Sequence, residues 1–268
     1  MPWRRLKCLK YLKGSGWSGF WRMPAGTIWR NRSDPLHLEG NKPYEMKNTL
    51  IKNNCIYGLL LFSFFFAVMA LITSIFVYKS GTAATGILII VILNIKNKPS
   101  RASWLIIGAF LFSIAGDWFL SHKNGDSGMF STGIAMFFFA HVGYLLYARQ
   151  NGRIDWKVTG IILALFLVFF FLVLYPNIPD RVLMAATLIY LLISCLSFGA
   201  AAGIKDDPVV KWTYLFGIFL VLFSDTIIAL SEFAGYKALD FLILPTYYLA
   251  HISITFSLIR KMNHREKT

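Results

Sequence analysis

Apolar residues in this chain run in blocks rather than stripes. Between residues 55 and 260 uncharged segments at roughly 55–78, 82–95, 102–121, 128–149, 157–175, 181–203, 210–231 and 240–260 alternate with short polar breaks. A helix apolar on every side suits hydrocarbon rather than a water-facing surface. Most of these blocks approach the ~20 residues that cross ~30 Å of bilayer. The pattern predicts an all-α polytopic membrane protein with eight transmembrane helices, the second being the shortest. Breaks of a few residues leave no soluble domain between them.

The first 45 residues differ. They hold nine Lys/Arg, several Trp and many Gly and Pro, without sustained apolar periodicity. No stretch there is apolar enough for a signal-peptide core. The expected organisation is a basic, disordered extension over 1–45, a transmembrane domain over 46–262 and a short tail over 263–268. Met46, followed by Lys47, Asn48 and Lys52, has the flank of a first membrane helix, and is the expected natural start. Intact-mass analysis of native protein checks this.

Charge sharpens the topology. With eight spans, one side receives fourteen Lys/Arg: Lys47, Lys52, Lys96, Lys98, Arg101, Arg149, Arg153, Lys157, Lys205, Lys211 and those of the Arg260–Lys267 tail. The other receives Lys79, Lys123, Arg181 and Lys237, one per loop. The positive-inside rule then puts both termini in the cytoplasm, with the bacterial inner membrane as the expected location. It also accounts for the net charge of +14 without nucleic acid as a partner. Cys8, Cys55 and Cys195 are scattered, so they give neither a disulfide framework nor a zinc pattern. With no Walker or dinucleotide glycine motif, no cofactor or metal is expected.

Two apolar stretches carry a carboxylate. Phe112–Leu120 contains Asp117, and Leu222–Leu230 contains Asp225. An ionisable group within a membrane segment costs ~2.5–3.5 kcal/mol on insertion scales, so each is a functional candidate. Counted from Arg101 and Lys211, both lie ~21–24 Å from the cytoplasmic end, level with one another. Two neighbouring carboxyls resist being ionised together, which supplies a proton donor and a base in one place. The plain alternative for Asp117 is a helix-end residue capped by Ser121 or paired with Lys123. For Asp225, with Ser224 beside it, apolar neighbours leave less room for such a role. His141 and His251 fall ~10 Å short of the Asp level on straight helices. They read as packing residues or as supports holding a Tyr, a water or an Asp, and that spacing counts against a metal site built from all four. Tyr144 lies one turn from His141, while Tyr247 and Tyr248 lie nearer the Asp level. Small residues at helical spacing (Ala186, Tyr190, Ser194, Ser197 and Ala201; Gly133, Phe137, His141, Tyr144 and Ala148) read as helix-packing stripes. Pro176, Pro179, Pro208 and Pro245 are expected at helix ends.

Segments 3–4 resemble segments 7–8. Gly108-Ala-Phe-Leu leads to Asp117 and Gly217-Ile-Phe-Leu to Asp225, and Phe137-Phe-Phe-Ala-His141 matches Tyr247-Tyr-Leu-Ala-His251. Either this is chance likeness of apolar runs, or the fold is two parallel four-helix repeats about an axis along the membrane normal.

Ala115-Gly-Asp117, Phe139-Ala-His141-x-x-Tyr144, Phe223-Ser-Asp225 and Tyr248-x-Ala-His251, in this order over about residues 55–260, resemble the YhhN family of lysoplasmalogenases. The resemblance implies an eight-helix membrane hydrolase. Its substrate would be a lysophospholipid whose vinyl ether bond is cleaved to a fatty aldehyde and a glycerophospho-ethanolamine or -choline. It implies catalytic positions at Asp117 and Asp225, and a helix 8 position, Gln or His in relatives, at His251. A Lys-Pro pair usual at the start of helix 2 falls at Lys79-Ser80; the Pro is missing and Lys79 is left as the headgroup candidate. Without the family, the same residues also allow a proton-coupled transporter or lipid-handling protein, or a metal-dependent lipid amidase or esterase using His141 and His251 with Asp117 and Asp225.

Overall fold

A computed structural model describes residues 42–73, 75–96 and 100–265. The chain divides after Met46, and residues 1–41, most of the expected N-terminal extension, lie outside the described part, as do 266–268 of the tail. From Lys47 onward the protein is one compact unit. Its helices are α1 (Lys42–Thr73), α2 (Phe76–Lys96), α3 (Arg101–Ser121), α4 (Ser127–Gln150), α5 (Trp156–Phe169), α6 (Arg181–Ala202), α7 (Pro208–Ala234) and α8 (Asp240–Arg265). α5 continues through a π-helical turn (Phe170–Leu174) and a 3₁₀ turn (Tyr175–Asn177). All eight are long and apolar enough to cross a membrane, counting α5 with its two turns.

Short polar residues set the helix ends. The side chains of Asp126, Asp155 and Asp180 accept hydrogen bonds from the first free backbone N–H groups of α4, α5 and α6. Pro208 opens α7, where its missing N–H costs nothing. Gly235 closes α7 with φ 67°, a left-handed conformation that suits glycine. α2 is longer than its apolar run, because Lys79 and Ser80 join its first turns instead of forming a loop. Pro245 lies inside α8 rather than at its end. Near it, Ser224 of α7 donates to the Ile243 carbonyl of α8 at 3.0 Å, a bond between the two helices.

Six helices close a ring in the order α2–α3–α4–α6–α7–α8 and back to α2. The contacts pair off: α3 with α4 as α7 with α8, α2 with α3 as α6 with α7, and α4 with α6 as α8 with α2. That is the neighbour pattern of two parallel repeats. The register differs in one detail from the sequence match. Gly108 has open space beyond its Cα, whereas Gly217 packs against Ala250 and Ile254 of α8. Ala109, packed against Gly143, is the counterpart of Gly217, and the alignment needs no gap there.

Small residues allow the close approaches. A Cβ on Gly143 would meet Ala109 and the Leu105 carbonyl at 2.9 Å, and one on Gly116 would meet the Phe137 ring at 2.7 Å. At the end of the bundle bearing the C-terminus, the α4–α5 and α6–α7 loops hydrogen-bond through Arg153 and Gly203 and through Lys205 and Asn151. Lys261 of α8 reaches Asn151 and Asp206 there. Above this latch, side chains of all six ring helices, among them Ile90, Phe110, Tyr144, Ala201, Ile218 and Ile254, form one packed cluster. We call this the closed end. Outward positions are apolar and open, with Leu172 73% and Val182 76% exposed, as lipid-facing residues should be.

Candidate active site

The packed cluster fills the closed half of the ring and leaves a pocket in the other. About 310 Å³ in volume, it opens between the α3–α4 and α7–α8 turns, and both Asp117 and Asp225 line it. Lys79, Ser121, Lys123, Ser224, Ser231, Glu232, Asp240 and Tyr247 supply its remaining polar lining.

Asp225 projects from α7 and is held from two helices. Tyr190 of α6 donates its hydroxyl to Oδ2 at 2.6 Å, and His141 Nε2 of α4 contacts the same oxygen at 3.2 Å. Oδ1 takes neither bond. Asp117 projects from α3, and Tyr247 of α8 donates to its Oδ2 at 3.1 Å. Lys79 of α2 is near enough to Asp117 to act on it electrostatically. Each carboxylate is thus met by a polar residue from each of two ring helices: α4 and α6 for Asp225, α8 and α2 for Asp117.

The ~10 Å shortfall expected for the histidines does not hold for His141. Every Cα–Cβ bond leans toward the N-terminus of its own helix. α4 and α7 run antiparallel, so His141 leans toward the open end and Asp225 toward the closed end, and the side chains meet. By the same rule His251 leans toward Asp117, but Tyr247 stands between them with its ring 4.4 Å from the imidazole. Phe110 packs on the other side at 4.8 Å. His251 is wholly buried, and the Tyr247 backbone one turn back is the polar group beside it. Position 137, the counterpart of Tyr247, is Phe, which has no hydroxyl to interpose.

Other candidates sit further out. Tyr144 is hydrogen-bonded to Ser113 at 3.3 Å and edge-on to His141. The Tyr248 hydroxyl, unpartnered among the described residues, is buried beside Ala67, Ala70 and Phe137. Ser224 lines the pocket but spends its hydroxyl on the Ile243 carbonyl. Lys79 lies in the pocket wall within α2 rather than in a loop. Among the described residues no three His, Cys, Asp or Glu side chains converge as a metal site would require.

The sequence reading missed Tyr190, filed with the small residues of its packing stripe. Its polar tip in a row of Ala and Ser was the available signal. It also missed Glu232 and Asp240. Glu232 pairs with Lys123 across the mouth, and Ser231 donates to Asp240 at 3.2 Å.

The fold and pocket define an integral membrane helical bundle with Asp117, Asp225 and Lys79 gathered in a chamber toward one end. The sequence pattern of the YhhN family matches residues 78–258, from α2 through α8, and the chain belongs to that family. All four motifs quoted above fall in this range. None of the curated proteins and none of the solved structures matches the chain.

Proposed function

We propose that the protein is a membrane hydrolase that cleaves the vinyl ether bond of lysoplasmalogens. The observation that carries this reading is the convergence of Asp117 and Asp225, each with its own hydroxyl donor, on one chamber within the bundle.

A vinyl ether is hydrolysed by proton transfer to the alkenyl carbon remote from oxygen, which leaves an oxocarbenium ion. Water then adds to the carbon beside oxygen and loses a proton to a base. The resulting hemiacetal breaks its C–O bond to the glycerol, giving a fatty aldehyde and glycerophospho-ethanolamine or -choline. One Asp supplies the first proton; the other faces the cation as a carboxylate and takes the proton from water. Tyr190, His141 and Tyr247 fix the carboxyl orientations, which such transfers require. The mouth carries both signs, with Lys79 and Lys123 beside Glu232 and Asp240, and suits a zwitterionic phospho-base. A packed half beneath the pocket favours a chamber with one opening over a transport path.

The test is aldehyde release from a 1-alkenyl lysophospholipid by purified protein in detergent. General acid–base groups contribute about 10²–10⁴-fold, so Asp117→Asn and Asp225→Asn should each lower turnover by at least about a hundredfold. Full turnover by both folded variants returns the two acids to structural roles.

A further inference from the structure

The polar chamber is not where the cavity system ends. A second, apolar cleft of about 60 Å³ lies between the α3–α4 hairpin, α6 and α7, and Asp225 lines it too. The two spaces share Leu120, Phe130, Phe137 and Ile228 in addition to Asp225, so they adjoin along a common wall of these side chains. Asp117 and Lys79 border only the polar chamber. A third small cavity, between α5, α6 and α7, also reaches Asp225 but shares no other residue with the polar chamber. Asp225 therefore stands between a space with a polar lining and one with an apolar lining.

We propose that this cleft is the hydrocarbon-chain subsite. It takes the first methylenes of the substrate's single chain, with the alkenyl carbons against Asp225 and the glycerophospho end turned toward Asp117 and Lys79. The inference rests on the lysophospholipid reading above and adds to it which wall of the chamber the chain follows. Three observations support a chain as the occupant. Apart from Asp225, Tyr190 and Thr187, the lining is aliphatic and aromatic. The Tyr190 hydroxyl is spent on Asp225, and that of Thr187 on the Leu183 carbonyl one turn back, so neither offers the cleft a free donor. The volume holds a few methylenes and not a whole acyl chain, so the rest must leave between helices into lipid. Phe130 and Phe233, edge to face at 5.8 Å, stand in the cleft wall. Discrimination should accordingly concern bulk near the glycerol end, with little dependence on total chain length.

Two measurements test this. In the first, wild-type protein in nanodiscs is photolabelled with a saturated 1-O-alkyl lysophosphoethanolamine carrying a diazirine on the third or fourth chain carbon. This probe has no bond to hydrolyse. Label is expected on peptides of α4, α6 and α7 containing Ile134, Thr187 or Ala229; label confined to α1, α2 and α8 overturns the subsite. In the second, Ile134→Trp, which fills the cleft from α4 without bordering the polar chamber, is compared with wild type on hexadecenyl and propenyl substrates. Contact with a methylene or two is worth about tenfold or more, so the hexadecenyl-to-propenyl ratio of kcat/KM should fall by at least that factor. An unchanged ratio in folded variant overturns the subsite. Labelling at the expected helices without aldehyde release by wild type keeps the chain subsite and removes the hydrolase reading.

Discussion

At the scale of single residues, the two carboxylates are distinguished by their partners. Asp225 receives a tyrosine and a histidine on one oxygen, while Asp117 receives a tyrosine and the field of a lysine. A hydrogen bond to a charged group contributes about 1.5–3 kcal/mol. Tyr190→Phe leaves the Asp225 carboxyl one donor short, so it should lower kcat roughly tenfold to a hundredfold and also lower the thermal unfolding midpoint by a few degrees, the ring and its packing remaining. Loss of folding without a kinetic effect in the surviving fraction would reassign Tyr190 to structure. The Asp and His residues were legible from sequence because a polar group in an apolar run stands out against hydrocarbon cost. Tyr190 was not, since a tyrosine in a membrane helix is unremarkable until its hydroxyl has an address.

At the scale of elements, helix direction decides what meets what. Antiparallel helices that face each other across the ring lean their side chains toward a common level, which brings His141 of α4 to Asp225 of α7 despite a gap counted along straight helices. The ring neighbours, in turn, need thin spots in the helices. Gly217 lies against Ile254 of α8 at 2.6 Å from a would-be Cβ, and Gly143 against Ala109 of α3. Gly217→Leu and Gly143→Leu should each cost about 1–3 kcal/mol by overpacking, read as a lowered unfolding midpoint in detergent. Gly108→Leu, with open space beyond it, is the control that should stay near wild type. Helix existence was readable from block length; interruptions were not. α5 ends in a π-helical turn and a 3₁₀ turn that contains Pro176, and α8 runs through Pro245. Sequence rules put prolines at helix ends because they weigh the lost hydrogen bond, whereas Pro245 falls in the second turn of α8.

At the scale of the whole molecule, six helices ring a core that is packed at one end and hollow at the other. The loops of the closed end carry most of the basic residues, so the positive-inside rule predicts a cytoplasmic closed end and a chamber opening on the opposite face. A single Cys introduced at Lys237 should react with a membrane-impermeant maleimide added outside intact cells, and one at Lys205 only after lysis. The reverse pattern would turn the protein over. Paired contacts around the ring are those that two parallel repeats would make: α3–α4 and α7–α8 occupy equivalent positions, and Ala109 rather than Gly108 packs as Gly217 does.

Hydrocarbon is a strict solvent, and it let the amino-acid sequence alone determine the class of fold, the number of spans and the two carboxylates that no lipid-facing surface would hold. Each of those is a matter of transfer free energy summed along a segment, which composition supplies. Which side chains touch is another matter. The tyrosine and histidine that grip Asp225, the interposed Tyr247 that separates His251 from Asp117, and the apolar cleft beside the polar chamber arise from helix order, tilt and facing. Those depend on packing between segments far apart in the chain, and only the tertiary structure decided them.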